Sequence, residues 1–355
     1  MSEPIPYLDP LSKALADKIE AGPPIEDLTF EQFRELVEQL QEHTPIPDIN
    51  RASFTVPFED GVKTFIFKPK GVSGTLPVIL YLHGGGWVAG SVNSYDSICR
   101  DLVLQTGCAV VFPEYTLAPE ARYPTQQEQC YAALKWVSQH GNSKGLSQEL
   151  ITVVGDSAGG QLTLAVTILA STRTPTIPIL LQTIISPVTD TVTSDRETPS
   201  GFRFFNGPLF NVPLLRKVID AYIPKPEDRV SELATPRNIS TRHAKLQPPT
   251  LIINSAVDFL RDDGKLYGEI LQKAGVDCSI FTLHGQLHDT VLFEATRNGP
   301  TPRTVIQLIA AKIKNAIAEA TTQTKVSTKR RIDEESDNLK GNGTVKGRKR
   351  RTRKQ

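Results

Sequence analysis

"VVGDSAGGQL", residues 153–162, sets small residues on both sides of Ser157 where a β-rich run gives way to a helical pattern. Gly155 and Gly159 complete a G-x-S-x-G spacing, in which a tight strand-to-helix turn leaves a serine hydroxyl exposed above the edge of a sheet. Alone the spacing carries little weight, because about one chain in ten of this length holds it by chance. An ordinary Gly-rich turn with a helix-capping polar residue reads the same way. Its surroundings decide. "LITVVG" (150–155) is a candidate strand and 158–171 a candidate helix, the context that the turn requires.

Outward from this point the same alternation repeats. Between residues 52 and 321, β-rich runs at 52–57, 62–68, 76–82, 108–113, 150–155, 178–186, 249–254 and 278–283 alternate with helical patterns near 93–106, 125–139, 158–171, 263–274 and 303–320. Strands separated by helices of this length imply an α/β fold with a mainly parallel, eight-stranded sheet and helices on both faces. The short "EDGV" link between the first two runs predicts an antiparallel hairpin at one edge. Two segments fall outside the alternation. Residues 8–42 read as two helices, and residues 190–245 interrupt the pattern with apolar and aromatic clusters such as "GFRFFNGPLFNVPLL". Surface decoration would leave much of that apolar surface exposed, so the expectation is a helical cap over the sheet's C-terminal edge, where such folds bind ligands. The expected organisation is a cap segment at 1–48, a catalytic domain at 49–321 with a cap insertion at about 190–245, and a basic tail at 322–355.

Composition narrows the function classes. The 355 residues are 39% hydrophobic with a formal net charge of +1, enough apolar material for a sizeable core. That charge is uneven, since residues 325–355 hold 12 Lys/Arg against 4 Asp/Glu. Cys99, Cys108, Cys130 and Cys278 have neither C-x-x-C spacing nor a histidine pairing, so buried, reduced thiols are expected, without a metal site. No apolar run reaches a membrane span and the N-terminus lacks a signal-peptide core, which predicts a soluble, cytoplasmic protein.

"YLHGGGWVAG" (81–90) adds a second feature. Three consecutive glycines after a strand remove every Cβ from the loop, so the backbone N–H groups of Gly84, Gly85 and Gly86 can close around an oxygen that turns negative during reaction. The N–H of Ala158, at the start of a helix, is a further candidate donor. A phosphate cradle would need a following Lys-[ST] or a dinucleotide spacing, and neither is present. Among the acids, Asp262 and Asp263 stand at the start of a helix, where capping accounts for them; Asp258 lies in the loop before it and is the candidate triad acid. A histidine must then follow the last strand. "LHGQLHDTVLF" (283–293) offers His284 at the strand's end and His288 beyond Gly285, with freedom to reach back over the serine. Position favours His288.

Together, HGGGW, the stretch 113–137 ("PEYTLAPEARYPTQQEQCYAALKWV"), GDSAGGQL, "DFLRDDG" and G-x-x-H at 285–288 resemble the hormone-sensitive-lipase-like carboxylesterases of the α/β-hydrolase superfamily, a group with many fungal and microbial members. The resemblance spans about residues 76–320. It implies Ser157 as nucleophile, Asp258 as acid and His288 as base, Gly85, Gly86 and Ala158 as oxyanion donors, a cap, and no cofactor or metal. It implies a small-molecule ester substrate of small to medium acyl chain; amides, lactones or secondary-metabolite esters use the same groups. A non-catalytic ligand-binding protein on this scaffold is the alternative, but receptors of that kind have lost the histidine that this chain keeps. The chain departs from the pattern at Thr116 (usually Arg), Phe259 (usually Pro) and Asp289-Thr290 (usually Gly-Phe). None removes a catalytic atom. The tail lacks apolar periodicity and is expected to be disordered, either a solvated end or, through Lys329-Arg330-Arg331 and "KGRKRRTRK", a nuclear address or polyanion contact. Self-association into a homo-oligomer is left open.

Overall fold

The computed structural model describes residues 6–41, 48–192 and 198–341, with side chains described through residue 323. Eight strands form one sheet: β1 (Ile49–Val56), β2 (Val62–Pro69), β3 (Leu76–Leu82), β4 (Ala109–Pro113), β5 (Leu146–Asp156), β6 (Gln182–Ile185), β7 (Thr250–Val257) and β8 (Cys278–Leu287). Their spatial order is β1-β2-β4-β3-β5-β6-β7-β8. The β1–β2 hairpin is antiparallel and occupies one edge, β2 pairs antiparallel with β4, and every other pairing is parallel. The mainly parallel α/β sheet expected from the alternation is therefore present.

Period-two alternation along β3 explains why helices cover both faces. Val78, Leu80 and Leu82 pack with Leu134 of the helix Thr125–His140 and Leu162 and Val166 of the helix Ser157–Thr172. Ile79 and Tyr81 turn to the other side, among Ile98 and Leu102 of Asp96–Thr106 and Ile306, Ile309 and Ile313 of the last helix. The chain leaves β3 for β4 on one side and then crosses to β5 on the other, with Leu82 level with Gly155. The loops after β3 and β5 thus emerge side by side at the point where the winding reverses, which is where open α/β sheets bind ligands.

The helix Pro10–Glu20 lies against the end of β8, and the helix Phe30–Gln39 against the loop after β3. Asp9 caps the first through Leu11 N–H (3.0 Å), and Thr29 and Gln32 form a capping box on the second. Arg34 ties the second helix down, donating from Nε to Val88 O (2.7 Å) and pairing with Glu120. The 190–245 segment contributes the helix Val212–Tyr222, whose Lys217 Nζ donates to Glu26 O (2.9 Å) and Leu28 O (2.6 Å). All four cysteines are buried free thiols. No helix among the described residues is long and apolar enough to cross a membrane.

Several boundaries differ from expectation: β5 begins at Leu146 and not 150, and β6 is confined to Gln182–Ile185. β8 runs to Leu287 rather than 283, because a register shift between Ser255 and Val257 and the left-handed Gly285 (φ 71°) let pairing resume at Val257–Leu287. The last helix runs Pro300–Gly341, past the expected limit near 320, so residues 322–341 are helical and not disordered. They contain no proline, and their first glycine is Gly341, while Lys, Arg and Glu are good helix formers. The basic run at 346–354 lies outside the described residues.

Candidate active site

Ser157 stands at the end of β5 with φ 51°, a left-handed conformation that costs a non-glycine residue on the order of 1–3 kcal/mol. The turn is tight enough to dictate its neighbours. A Cβ on Gly155 would lie 2.4 Å from Gly159 O, and one on Gly159 would lie 2.0 Å from Leu82 O. Both are closer than real Cβ contacts, so the two glycines of G-x-S-x-G are steric requirements of packing this helix on β3 and β5.

The loops after β7 and β8 bring two more of the selected side chains to the serine. His288 Nε2 lies 3.0 Å from Ser157 Oγ, and its Nδ1 lies 2.8 Å from Asp258 Oδ2. The other oxygen of Asp258 accepts from Leu260 N–H (2.8 Å), which fixes the carboxylate from behind. All three side chains are buried, and the rings of Phe210 and Phe259 flank the imidazole at centroid distances of 5.5 and 6.1 Å. His284 goes elsewhere: it is exposed on β8 and stacks on Tyr7, with centroids 5.2 Å apart.

The glycine loop is held by a residue that sequence reasoning passed over. Asp156, adjacent to the serine and fully buried, accepts from Tyr81 Oη (2.8 Å), Tyr95 Oη (2.9 Å) and Gly84 N–H (3.1 Å). This corrects the expectation for Gly84. Its N–H is committed to Asp156 and cannot serve as an oxyanion donor, whereas the N–H groups of Gly85 and Gly86 have no acceptor among the described residues. Ala158 sits in the first turn of its helix, where N–H groups lack an intrahelical partner. Glycine is needed at 84 because a Cβ there would lie 2.2 Å from Asp156 Oδ2. Burial raises the Asp156 carboxyl above its ordinary range, with Asp289 acting in the same direction. His83, also buried, is pushed down to about 4 by desolvation; its ring stacks on Tyr115 at 4.1 Å, and its Nδ1 lies 2.9 Å from Gly84 O. It is thus a neutral brace under the glycine loop.

A family model of the alpha/beta hydrolase fold matches residues 79–292. The chain belongs to the α/β-hydrolase family. An esterase of Gibberella moniliformis is 35% identical over 320 residues, covering 88% of this chain and 99% of its own. An ethyl acetate hydrolase of Pseudomonas putida is 34% identical over 212 residues, 59% of this chain and 65% of its own. Among solved structures, carboxyl esterase 2 of the mycorrhizal fungus Tuber melanosporum superposes with a TM-score of 0.80 at 32% identity, covering 87% of this chain and 99% of that one. This α/β-hydrolase is a carboxylesterase-type enzyme.

The hydrolase encloses beside Ser157 a pocket walled by Phe33 and Val37 from the N-terminal helices, Phe210, Leu214 and Val218 from the 190–245 segment, and Gly85 and Gly86 below. Its free volume is about 50 Å³, room for a few water-sized groups. Asp262 and Asp263 were expected to cap the following helix and to complement its dipole; they do stand in its first turn, where their charge suits the dipole, but its N-cap is Leu260 and no side chain caps it. They also brace the 190–245 segment and its approach. Asp262 Oδ2 accepts from Ser200 N–H (2.9 Å), and Asp263 Oδ2 accepts from the N–H groups of Thr189 (2.9 Å) and Asp190 (3.3 Å). Asp289, noted in the sequence only as a departure from the family, lines the pocket with Oδ2 3.0 Å from His288 Nε2.

Proposed function

We propose that the hydrolase cleaves carboxylic esters of small to medium acyl chain with Ser157 as nucleophile, His288 as base and Asp258 as the group that orients it. The carrying observation is the unbroken path from Ser157 Oγ through the imidazole to Asp258, at 3.0 and 2.8 Å. Ser157 Oγ attacks the ester carbonyl as its proton passes to His288 Nε2, and the N–H groups of Gly85, Gly86 and Ala158 stabilise the tetrahedral oxyanion. His288 then delivers that proton to the leaving alkoxide, releasing an alcohol and an acyl-serine. A water deprotonated by the same imidazole attacks the acyl carbon, the serine leaves with a proton, and a carboxylic acid is released.

The size preference is supported by the narrow pocket, with a small ester in the name of one relative. The N-terminal helices and the 190–245 segment act in this reading as a cap that sets chain length. A fluorophosphonate probe should label Ser157, which a non-catalytic ligand-binding protein would not require. Ser157→Ala should lower kcat on p-nitrophenyl acetate and butyrate at least about 10³-fold, and an unchanged rate would refute the assignment. Nuclear targeting by the basic tail is tested by the distribution of a tagged copy lacking residues 325–355.

A further inference from the structure

Asp289 has no part in the mechanism above, yet it stands on the nitrogen that performs it. Its Oδ2 is as close to His288 Nε2 (3.0 Å) as Ser157 Oγ is (3.0 Å), while Asp258 occupies Nδ1. Its other oxygen is buried without a hydrogen-bond partner, in contrast to the three donors that satisfy Asp156. The backbone of Asp289 is left-handed, φ 49°, where glycine sits without strain. A strained position and an unpartnered buried carboxylate oxygen both cost stability, and the second oxygen of the group that they set in place contacts the base.

We propose that Asp289 is a positioning residue of the proposed triad: it pairs with the imidazolium form of His288 from the Nε2 side and thereby sets the pH above which Ser157 can be deprotonated. The inference rests on His288 being the base. The groups facing the imidazole are Asp258 from the loop after β7, Ser157 from the elbow, Asp289 from its own loop, and the rings of Phe210 and Phe259; Asp156 and Tyr95 lie behind. Burial by itself lowers the affinity of His288 for a proton, but Asp258 and Asp289 more than reverse it and hold the imidazole above its ordinary range. Burial also raises the Asp289 carboxyl, which the imidazolium opposes. The neutral imidazole is the working base, so activity rises as pH climbs through the titration of this cluster. A carboxylate at Nε2 favours the charged ring and moves that rise to higher pH.

The test is the acid limb of kcat/KM on p-nitrophenyl butyrate for the full chain, its Asp289→Asn variant and its Asp289→Gly variant, with fluorophosphonate labelling run in parallel. Asparagine keeps the shape and glycine relieves the left-handed backbone, so the pair separates charge from folding. Both should shift the limb to lower pH, by about 1 unit or more. In NMR, the low-field imidazolium Nδ1–H resonance should persist to higher pH in the wild type than in either variant. Superimposable limbs in three proteins that all label at Ser157 would overturn the role of Asp289 and leave the serine mechanism intact. A wild type that does not label, with Ser157→Ala still active, would overturn both.

Discussion

Two junctions meet around Ser157, and they are made differently. Beneath the serine, backbone approaches backbone: the helix Ser157–Thr172 touches the end of β3 so closely that a Cβ on Gly159 would lie 2.0 Å from Leu82 O, while Gly84 fits under the Asp156 carboxylate, which three donors hold in place, and close to Asp156 O. Above it, the N-terminal helices meet the 190–245 segment through side chains, with Phe33 edge-on to Phe210 at 6.1 Å, Asn211 Nδ2 on Glu26 Oε2 at 2.7 Å, and Lys217 on two carbonyls. Main-chain contact leaves little latitude, because little can move aside. Side-chain contact can be exchanged residue by residue. In the reading proposed above, the lower junction would hold the chemistry and the upper one the substrate range.

The largest expected effect falls on the lower junction. Gly84→Ala forces a Cβ against Asp156 Oδ2 and, at 2.9 Å, against Asp156 O. The glycine loop must shift, and the proposed donors at Gly85 and Gly86 move with it. Loss of one aligned oxyanion donor is worth about 10²–10³ in kcat, so kcat should fall by that order while KM changes little. Steady-state kinetics beside thermal unfolding checks it: a smaller folded fraction would also lower apparent kcat with KM unchanged, so the fall counts only where the unfolding curve shows the variant fully folded at the assay temperature. A Gly84→Ala protein with wild-type kcat would mean that the loop is as adaptable as the cover, and the contrast would fail.

The upper junction should respond by changing what is accepted, not how fast the chemistry runs. Val218 lines the pocket next to Gly86. Val218→Ala removes two methyl groups and opens room there. The preference in a p-nitrophenyl ester series should move to longer chains, each additional buried CH₂ contributing about 0.8 kcal/mol, or roughly fourfold in kcat/KM. An unchanged series would place the chain-length limit elsewhere in the cover.

The same division decides what could be read before the structure was in hand. Ser157, Asp258 and His288 were each marked by local signals, a glycine spacing, a loop without a helix end to serve and a G-x-x-H, and the fold brings them together. The sheet followed from alternation, and its antiparallel edge from the short link between the first two runs. Partnerships across the chain were not legible. Asp262 and Asp263 looked like caps because their true partners, Ser200, Thr189 and Asp190, lie more than 60 residues away. Gly84 looked like a donor because only three dimensions show Asp156 taking its N–H. The sign that could have found Asp156 was its place beside the serine, a carboxylate in a strand with no exposed face.

The smallest effect is expected at the far end. The last helix is fixed to the sheet by Val305, Ile306, Ile309 and Ile313, with Ala316 and Ile317 packed at the margin. Those anchors end before residue 325, and the sequence beyond it shows no apolar periodicity. Removal of residues 325–355 should leave kcat/KM and the unfolding temperature essentially as they were, and take away about +8 of net charge, with whatever salt-dependent adhesion to polyanions that charge supports. A loss of esterase activity on truncation would make the tail part of the enzyme, and a third kind of junction would have to be added to the two at the serine.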